Sequence, residues 1–156
     1  MDEPLISVER ATSAQYPIVL TLVRELFAEL SGDSAEFAGL DLESVRPALD
    51  AAGERFTAFI AFDDERHPVG VVTLAESVAV YAGGSYGIIP EMYVRAAYRQ
   101  ARVGEQLLDA VKAYGRDRGW RRVDVTAPPE AKWQRAVAFY ERNGFVFTGP
   151  KLRCAL

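Results

Sequence analysis

A proline stands in the middle of the apolar strand pattern "IIPEMYV" at 88–94, and no other residue constrains the fold as much. Proline has no N–H to give to a ladder, so within a sheet it marks an edge or a bulge. The pattern predicts a sheet whose regular pairing breaks at Pro90, beside Glu91 and Met92. The chain then runs through "RAAYRQAR" into a helix, with Val103, Leu107, Val111 and Tyr114 on one face and Gly119 as its stop. The first N–H groups of such a helix have no intrahelical acceptor, and the macrodipole adds partial positive charge, so a phosphate placed there finds donors. Arg95, Arg99 and Arg102 would add charge, and Gly104 would admit close backbone approach. The same residues also describe a plain helix start with basic side chains facing solvent. Two familiar phosphate loops are excluded: the chain has no G-x-x-x-x-G-K-[ST] and no G-x-G-x-x-G after a strand.

The rest of the chain supplies a sheet and helices. "LISVERA" (5–11) reads as a short strand, and Thr12 with Gln15 forms a capping-box pattern. Val19, Leu22, Val23, Leu26, Phe27 and Leu30 make the stripe of a helix ending near Ser31-Gly32, and a second helix fits 41–52. "RFTAFIAF" (55–62) is apolar enough to be buried on both faces, and "VGVVTLA" (69–75) is its hairpin partner. Residues 76–87 read as a strand end and a mobile loop. "RRVDVTA" (121–127) is a strand, "PPE" starts a helix that Asn143-Gly144 ends, and "FVFTG" and "KLRCAL" read as terminal strands. The order β-α-α-β-β-β-α-β-α-β-β predicts one mixed α/β (α+β) domain over 1–156. Its sheet is mostly antiparallel, with six to seven strands and helices on both faces.

Composition narrows the function. A chain of 156 residues, 49% apolar and 26% charged, has the make-up of a globular domain. A net charge of -4 argues against nucleic acid as a partner, and no stretch approaches the roughly 20 apolar residues that span a bilayer. The N-terminus lacks a basic start followed by an apolar run, and the single Cys154 cannot form an internal disulfide. Both point to a cytoplasmic setting. Cys154 reads as a small apolar residue in the last strand and His67 as an exposed turn residue. One histidine and one cysteine leave no nitrogen–sulfur cluster, so no metal is expected.

Two blocks together resemble the GNAT superfamily of N-acetyltransferases. The family's [QR]-x-x-G-x-[GA] is similar to Arg99-Gln100-Ala101-Arg102-Val103-Gly104, approached by "EMYV" and "AYR". Its A-x-x-F-Y-x-x-x-G-F helix end is similar to "AVAFYERNGF" at 136–145. The resemblance implies an acetyl-coenzyme-A-dependent transferase, with loop amides over Arg99, Gln100, Ala101, Arg102, Val103, Gly104 and Glu105 holding the diphosphate. Met92, Tyr93 and Val94 of a splayed strand would hold pantetheine and the thioester. The chain departs from the family twice, with Arg102 at a motif glycine and Trp133 at an asparagine. An arginine costs energy there if the position needs positive φ, and adds a phosphate contact if it needs only an N–H.

The chemistry assigns further roles. The acceptor amine must lose a proton, since an alkyl ammonium has a pKa of about 10.4. Glu91, beside the break, is the best-placed base. The alternative for it is an ion pair with Arg95. Tyr140 matches the family tyrosine that protonates the leaving thiolate, and a core-facing aromatic is its bland reading. Tyr81, Tyr86 and Tyr93 are candidates to line the acceptor pocket, and Glu76 with 77–87 to meet a cationic amine. The acceptor would be a primary amine of a small molecule or peptide. Homodimerisation through the apolar terminal strands is expected. The competing reading is a non-catalytic acyl-coenzyme-A-binding sensor of the same fold.

Overall fold

The computed structural model describes residues 4–31, 41–126, 134–149 and 151–156. Its strands are β1 (Ser7–Arg10), β2 (Phe56–Phe62), β3 (Pro68–Ala79), β4 (Gly84–Ile89), β5 (Met92–Val94) and β6 (Val123–Val125). Its α-helices are α1 (Tyr16–Ser31), α2 (Arg46–Ala52), α3 (Val103–Asp117) and α4 (Gln134–Arg142). The six strands form one sheet in the order β1-β2-β3-β4-β6, with β5 also on β3. All pairings are antiparallel except β4 with β6.

Alternation along β2 sends its side chains to two cores. Phe59 and Ala61 join Val72, Leu74, Leu107, Leu108 and Val111 under α3, with Phe139 and Tyr140 of α4 packed alongside. Ala58, Ile60 and Phe62 join Val19, Leu22 and Val23 of α1 on the other face, with Leu49 of α2. Helices therefore cover both faces, and β2 is buried on both, as its unbroken apolar run requires. The side chain of Gln15 accepts from Thr12 N at 3.0 Å, one half of the expected capping box, just ahead of α1.

Three expectations are corrected. Residues 76–87 are mostly strand: β3 runs on to Ala79, and only 80–83 turn before β4. The terminal strands do not form, since 145–149 and 151–156 carry no strand. Cys154 is accordingly exposed rather than seated in a strand. Phe145 alone packs inward, against Tyr140, while Val146, Phe147 and Leu152 are at least 80% exposed, so among the described residues little apolar burial fixes a pairing. The "PPE" helix start and Trp133 lie outside the described residues. Among the described residues no helix is long and apolar enough to cross a membrane.

Candidate active site

β3 is long enough to pair twice: Ala75–Ala79 with β4, and Gly70–Val72 with β5. Between these two partners the chain passes Pro90 and Glu91, where regular pairing stops, as the proline predicted. Thr73 bridges the gap. Thr73 N donates to Glu91 O at 2.9 Å, and Glu91 N donates to the Thr73 hydroxyl oxygen at 3.0 Å. A side chain thus takes the place of a backbone acceptor, which is how the strand can bend without losing a hydrogen bond.

β4 continues beside β6 as far as Ile89 opposite Val125, while β5 has β3 as its strand neighbour. Glu91 O and Arg95 N both bond to β3. Alternation then turns the backbone groups of Met92 and Val94 to the opposite edge of β5, which has no strand neighbour among the described residues. Val94 O is met there by Arg99 Nε at 2.9 Å. An open edge with fixed N–H groups is what an extended pantetheine-like chain and a thioester carbonyl can bond.

The loop after β5 ends at Arg102, which adopts the left-handed conformation with φ 61° and ψ 23°. The family's glycine position thus does require positive φ here, and arginine bears that cost. Arg102 Nε lies 2.9 Å from Glu105 Oε2 across the first turn of α3. Gln106 N bonds to Arg102 O at 3.2 Å, so the amides of Val103, Gly104 and Glu105 precede the first intrahelical bond and point out of the helix. Ala101 N is already bonded to Tyr98 O at 3.1 Å, which narrows the expected donor set. The outward amides and the helix dipole make this end electropositive, and the Arg102 guanidinium beside it is paired with Glu105 at 2.8 Å.

The other two arginines turn elsewhere. Arg95 grips Glu25 of α1 at 2.7 and 3.0 Å, and Arg99 Nη2 meets Glu29 at 2.7 Å. They do not add free positive charge to the loop. Gly104 serves packing: an added Cβ would stand 2.9 Å from the Phe139 ring of α4 and 3.6 Å from Met92 Cε.

Alternation along β5 also separates the two reactive candidates. Glu91, like Thr73 opposite it, faces the α1 side, where Tyr93 packs into the α1 core. Its partner is the Thr73 hydroxyl, which donates to Glu91 Oε2; the expected alternative pairing with Arg95 does not form. Burial raises the Glu91 carboxyl above its ordinary range, and the Thr73 hydrogen bond opposes that shift. Met92 faces α4, and the Tyr140 hydroxyl reaches Met92 Sδ at 3.7 Å. Burial pushes the Tyr140 phenol up to about 12, so it holds its proton across the physiological range.

The acceptor-side expectations divide. The Tyr81 and Tyr86 hydroxyls are 3.3 Å apart, and Tyr81 lines a cleft of about 370 Å³ with Arg122, Asp124, Thr148 and Gly149. Glu76 is corrected. It is held by Arg118 and by Trp120 Nε1, and its carboxyl is lowered chiefly by Arg118, so it ties β3 to the end of α3 rather than meeting an amine. His67 is exposed in the β2–β3 turn as expected, 3.3 Å from Asp63. Thr73, Glu25 and Glu29 were missed by reading the sequence. The four-residue spacings of Glu25 to Glu29 and of Arg95 to Arg99 were the available signal.

A strand edge without a strand neighbour among the described residues, a helix N-terminus beside it, and a carboxyl and a phenol on opposite faces are an arrangement that suits an acyl-thioester-using transferase. The family model of the acetyltransferase (GNAT) domain matches residues 54–147, and the chain belongs to that family. It is an N-acetyltransferase using acetyl-coenzyme A. Among solved structures it is similar to an aminoglycoside acetyltransferase from an uncultured soil metagenomic sample, with TM-score 0.78 and 20% identity over 97% of this chain and 99% of that one. It is also similar to AAC(6')-Iy in complex with a bisubstrate analogue, with TM-score 0.76 and 17% identity over 97% and 98% of the two chains. A predicted acetyltransferase with acetyl-CoA from Clostridium acetobutylicum gives TM-score 0.76 and 15% identity over 97% and 96%. No curated protein matches by sequence.

Proposed function

We infer that the chain transfers an acetyl group from acetyl-coenzyme A to a primary amine of a small molecule or peptide by direct attack on the thioester. The observation that carries this is the open edge of β5, with Glu91 on its α1 side and Tyr140 on its α4 side. Acetyl-coenzyme A supplies the acetyl thioester; the protein supplies the rest. Glu91, with its raised carboxyl, accepts a proton from the attacking ammonium, directly or through a water. The outward N–H groups of Met92 and Val94 stabilise the carbonyl oxygen as it gains charge, a kind of donor worth roughly 3–4 kcal/mol in related acyl chemistry. The protonated Tyr140 hydroxyl gives a hydrogen bond and then a proton to the leaving sulfur.

A base and an acid on opposite sides of one edge let the amine arrive from one face while the sulfur leaves toward the other. The net charge of -4 suits a cationic acceptor, and the aminoglycoside acetyltransferases of the same fold support a polyamine or amino sugar as the first class to assay. This reading includes a second copy of the chain as a partner, docked through the exposed apolar residues Val146, Phe147 and Leu152.

The test is thiol release from acetyl-coenzyme A with a panel of amines. Tyr140→Phe should lower kcat by about 100-fold while leaving coenzyme A affinity within about twofold, and Glu91→Gln should do the same. A wild type that binds coenzyme A yet acetylates no amine in the panel would favour the sensor reading instead.

A further inference from the structure

The segment that leads from β5 to α3 is fastened at three residues to elements that would not touch a bound diphosphate. Arg95 reaches Glu25 of α1 through Nε at 3.0 Å and Nη2 at 2.7 Å, and Pro68 O at the start of β3 through Nη1 at 2.7 Å. The Tyr98 hydroxyl donates to Asp63 in the β2–β3 turn at 3.0 Å. Arg99 joins Glu29 of α1 at 2.7 Å and Val94 O at 2.9 Å. The spacing is matched on both partners: Glu25 and Glu29 lie one helical turn apart on α1, and Arg95 and Arg99 lie four residues apart in the loop.

Each arginine is neutralised by its glutamate, so neither contributes net field to the anion site. What the pairs fix is direction. With Arg95 and Arg99 held toward α1, Gln100, Arg102 and the first amides of α3 are presented at the opposite end of the loop. Rigid placement of donors matters because a donor displaced by an ångström loses most of its hydrogen bond.

We propose that Glu25 and Glu29 are positioning residues for the diphosphate-binding loop, acting through Arg95 and Arg99 without touching the ligand. This rests on the reading that the loop holds the diphosphate of coenzyme A. It also links the donor site to α1, which covers the sheet face on which Glu91 stands, so donor binding and the acceptor side share a mechanical connection.

The experiment titrates coenzyme A, and separately pantetheine, which lacks the diphosphate, into the wild type and the Glu25→Gln/Glu29→Gln variant. The variant should bind coenzyme A about tenfold more weakly. Its pantetheine affinity should stay within about twofold, because that ligand meets only the β5 edge. Adding Arg95→Gln and Arg99→Gln to the variant should weaken coenzyme A little further, as expected of partners acting as one unit. The gap between variant and wild type should shrink toward nothing near 1 M salt, which screens the pairs.

Unchanged or tighter coenzyme A binding in the variant would overturn the proposal, since it would mean the freed arginines serve the phosphates directly. Equal loss of both ligands, or a large fall in melting temperature, would reduce the glutamates to a merely structural role and overturn it as well. A wild type that binds pantetheine but gains nothing from the diphosphate would remove the loop reading itself, and this proposal with it.

Discussion

Thr73 is the residue on which the candidate base depends. It is 2% exposed, takes the Glu91 amide, and gives its own hydroxyl hydrogen to the Glu91 carboxylate. A donor on the charged form lowers a carboxyl pKa, so Thr73 offsets part of the rise that burial imposes. Glu91 must be ionised to accept a proton, and activity should rise as pH climbs through its pKa. Thr73→Val keeps the shape and removes the donor. The acidic limb of kcat/KM should therefore move to higher pH, and Thr73→Ser should restore it. An unmoved limb would take Glu91 out of the base role. Arg102 presents the opposite balance. Its left-handed backbone costs about 1 kcal/mol relative to glycine, while its guanidinium, held by Glu105, stands beside the first turn of α3, where the proposed diphosphate would lie. Arg102→Gly should leave stability equal or higher in a denaturant melt and weaken coenzyme A binding measured by calorimetry.

At the scale of elements, the site exists because β3 outlasts each of its partners. Its twelve residues serve β4 and then β5, and the interruption between them is where Glu91 and Met92 diverge to the two faces. α3 can lie close over this strand because Gly70 has no side chain: a Cβ there would stand 3.2 Å from Val103 and 3.3 Å from Leu107. The far end of α3 is tied back to β3 by Glu76, which holds both Arg118 and Trp120. The Glu76 carboxyl is lowered, so its contribution is present above the ordinary carboxylate range and is lost as pH falls through the folded-state value. Glu76→Gln should lower the melting temperature by about 2–4 °C at pH 7. The difference from wild type should begin to shrink below about pH 4 and close as pH falls through the folded-state value. A pH-independent difference in thermal melts would assign the effect to packing of Trp120 alone.

Across the whole molecule, two helix layers sandwich one sheet, and the sequence carries this in its periodicities. The stripe Val19, Leu22 and Val23 became the α1 core, and the unbroken run of β2 became a strand buried on both faces. The C-terminal expectation did not hold. "FVFTG" and "KLRCAL" have β-forming composition but no strand within the described chain. A second copy is the partner inferred for that apolar surface. Sedimentation should then show a concentration-dependent dimer that Phe147→Glu dissolves, whereas a monomer at every concentration would leave the segment without that partner.

What the sequence determined by itself is local. Pro90 cannot donate to a ladder, so the strand had to break there; Gly119 and Gly144 stop helices at φ 80° and 94°; and the order of elements follows from hydrophobic period. The two motif blocks also pointed to the family that the chain belongs to. What only the tertiary structure decided is which groups meet. Arg95 and Arg99 looked like ligands for an anion, and α1, some 70 residues away in sequence, claims them through Glu25 and Glu29. Glu76 looked free for an amine until Arg118 and Trp120 closed on it, and at Gly104 the room an added side chain would need is taken by Phe139. Charge and size are properties of a residue, but pairing depends on distances that the chain sets only when it folds.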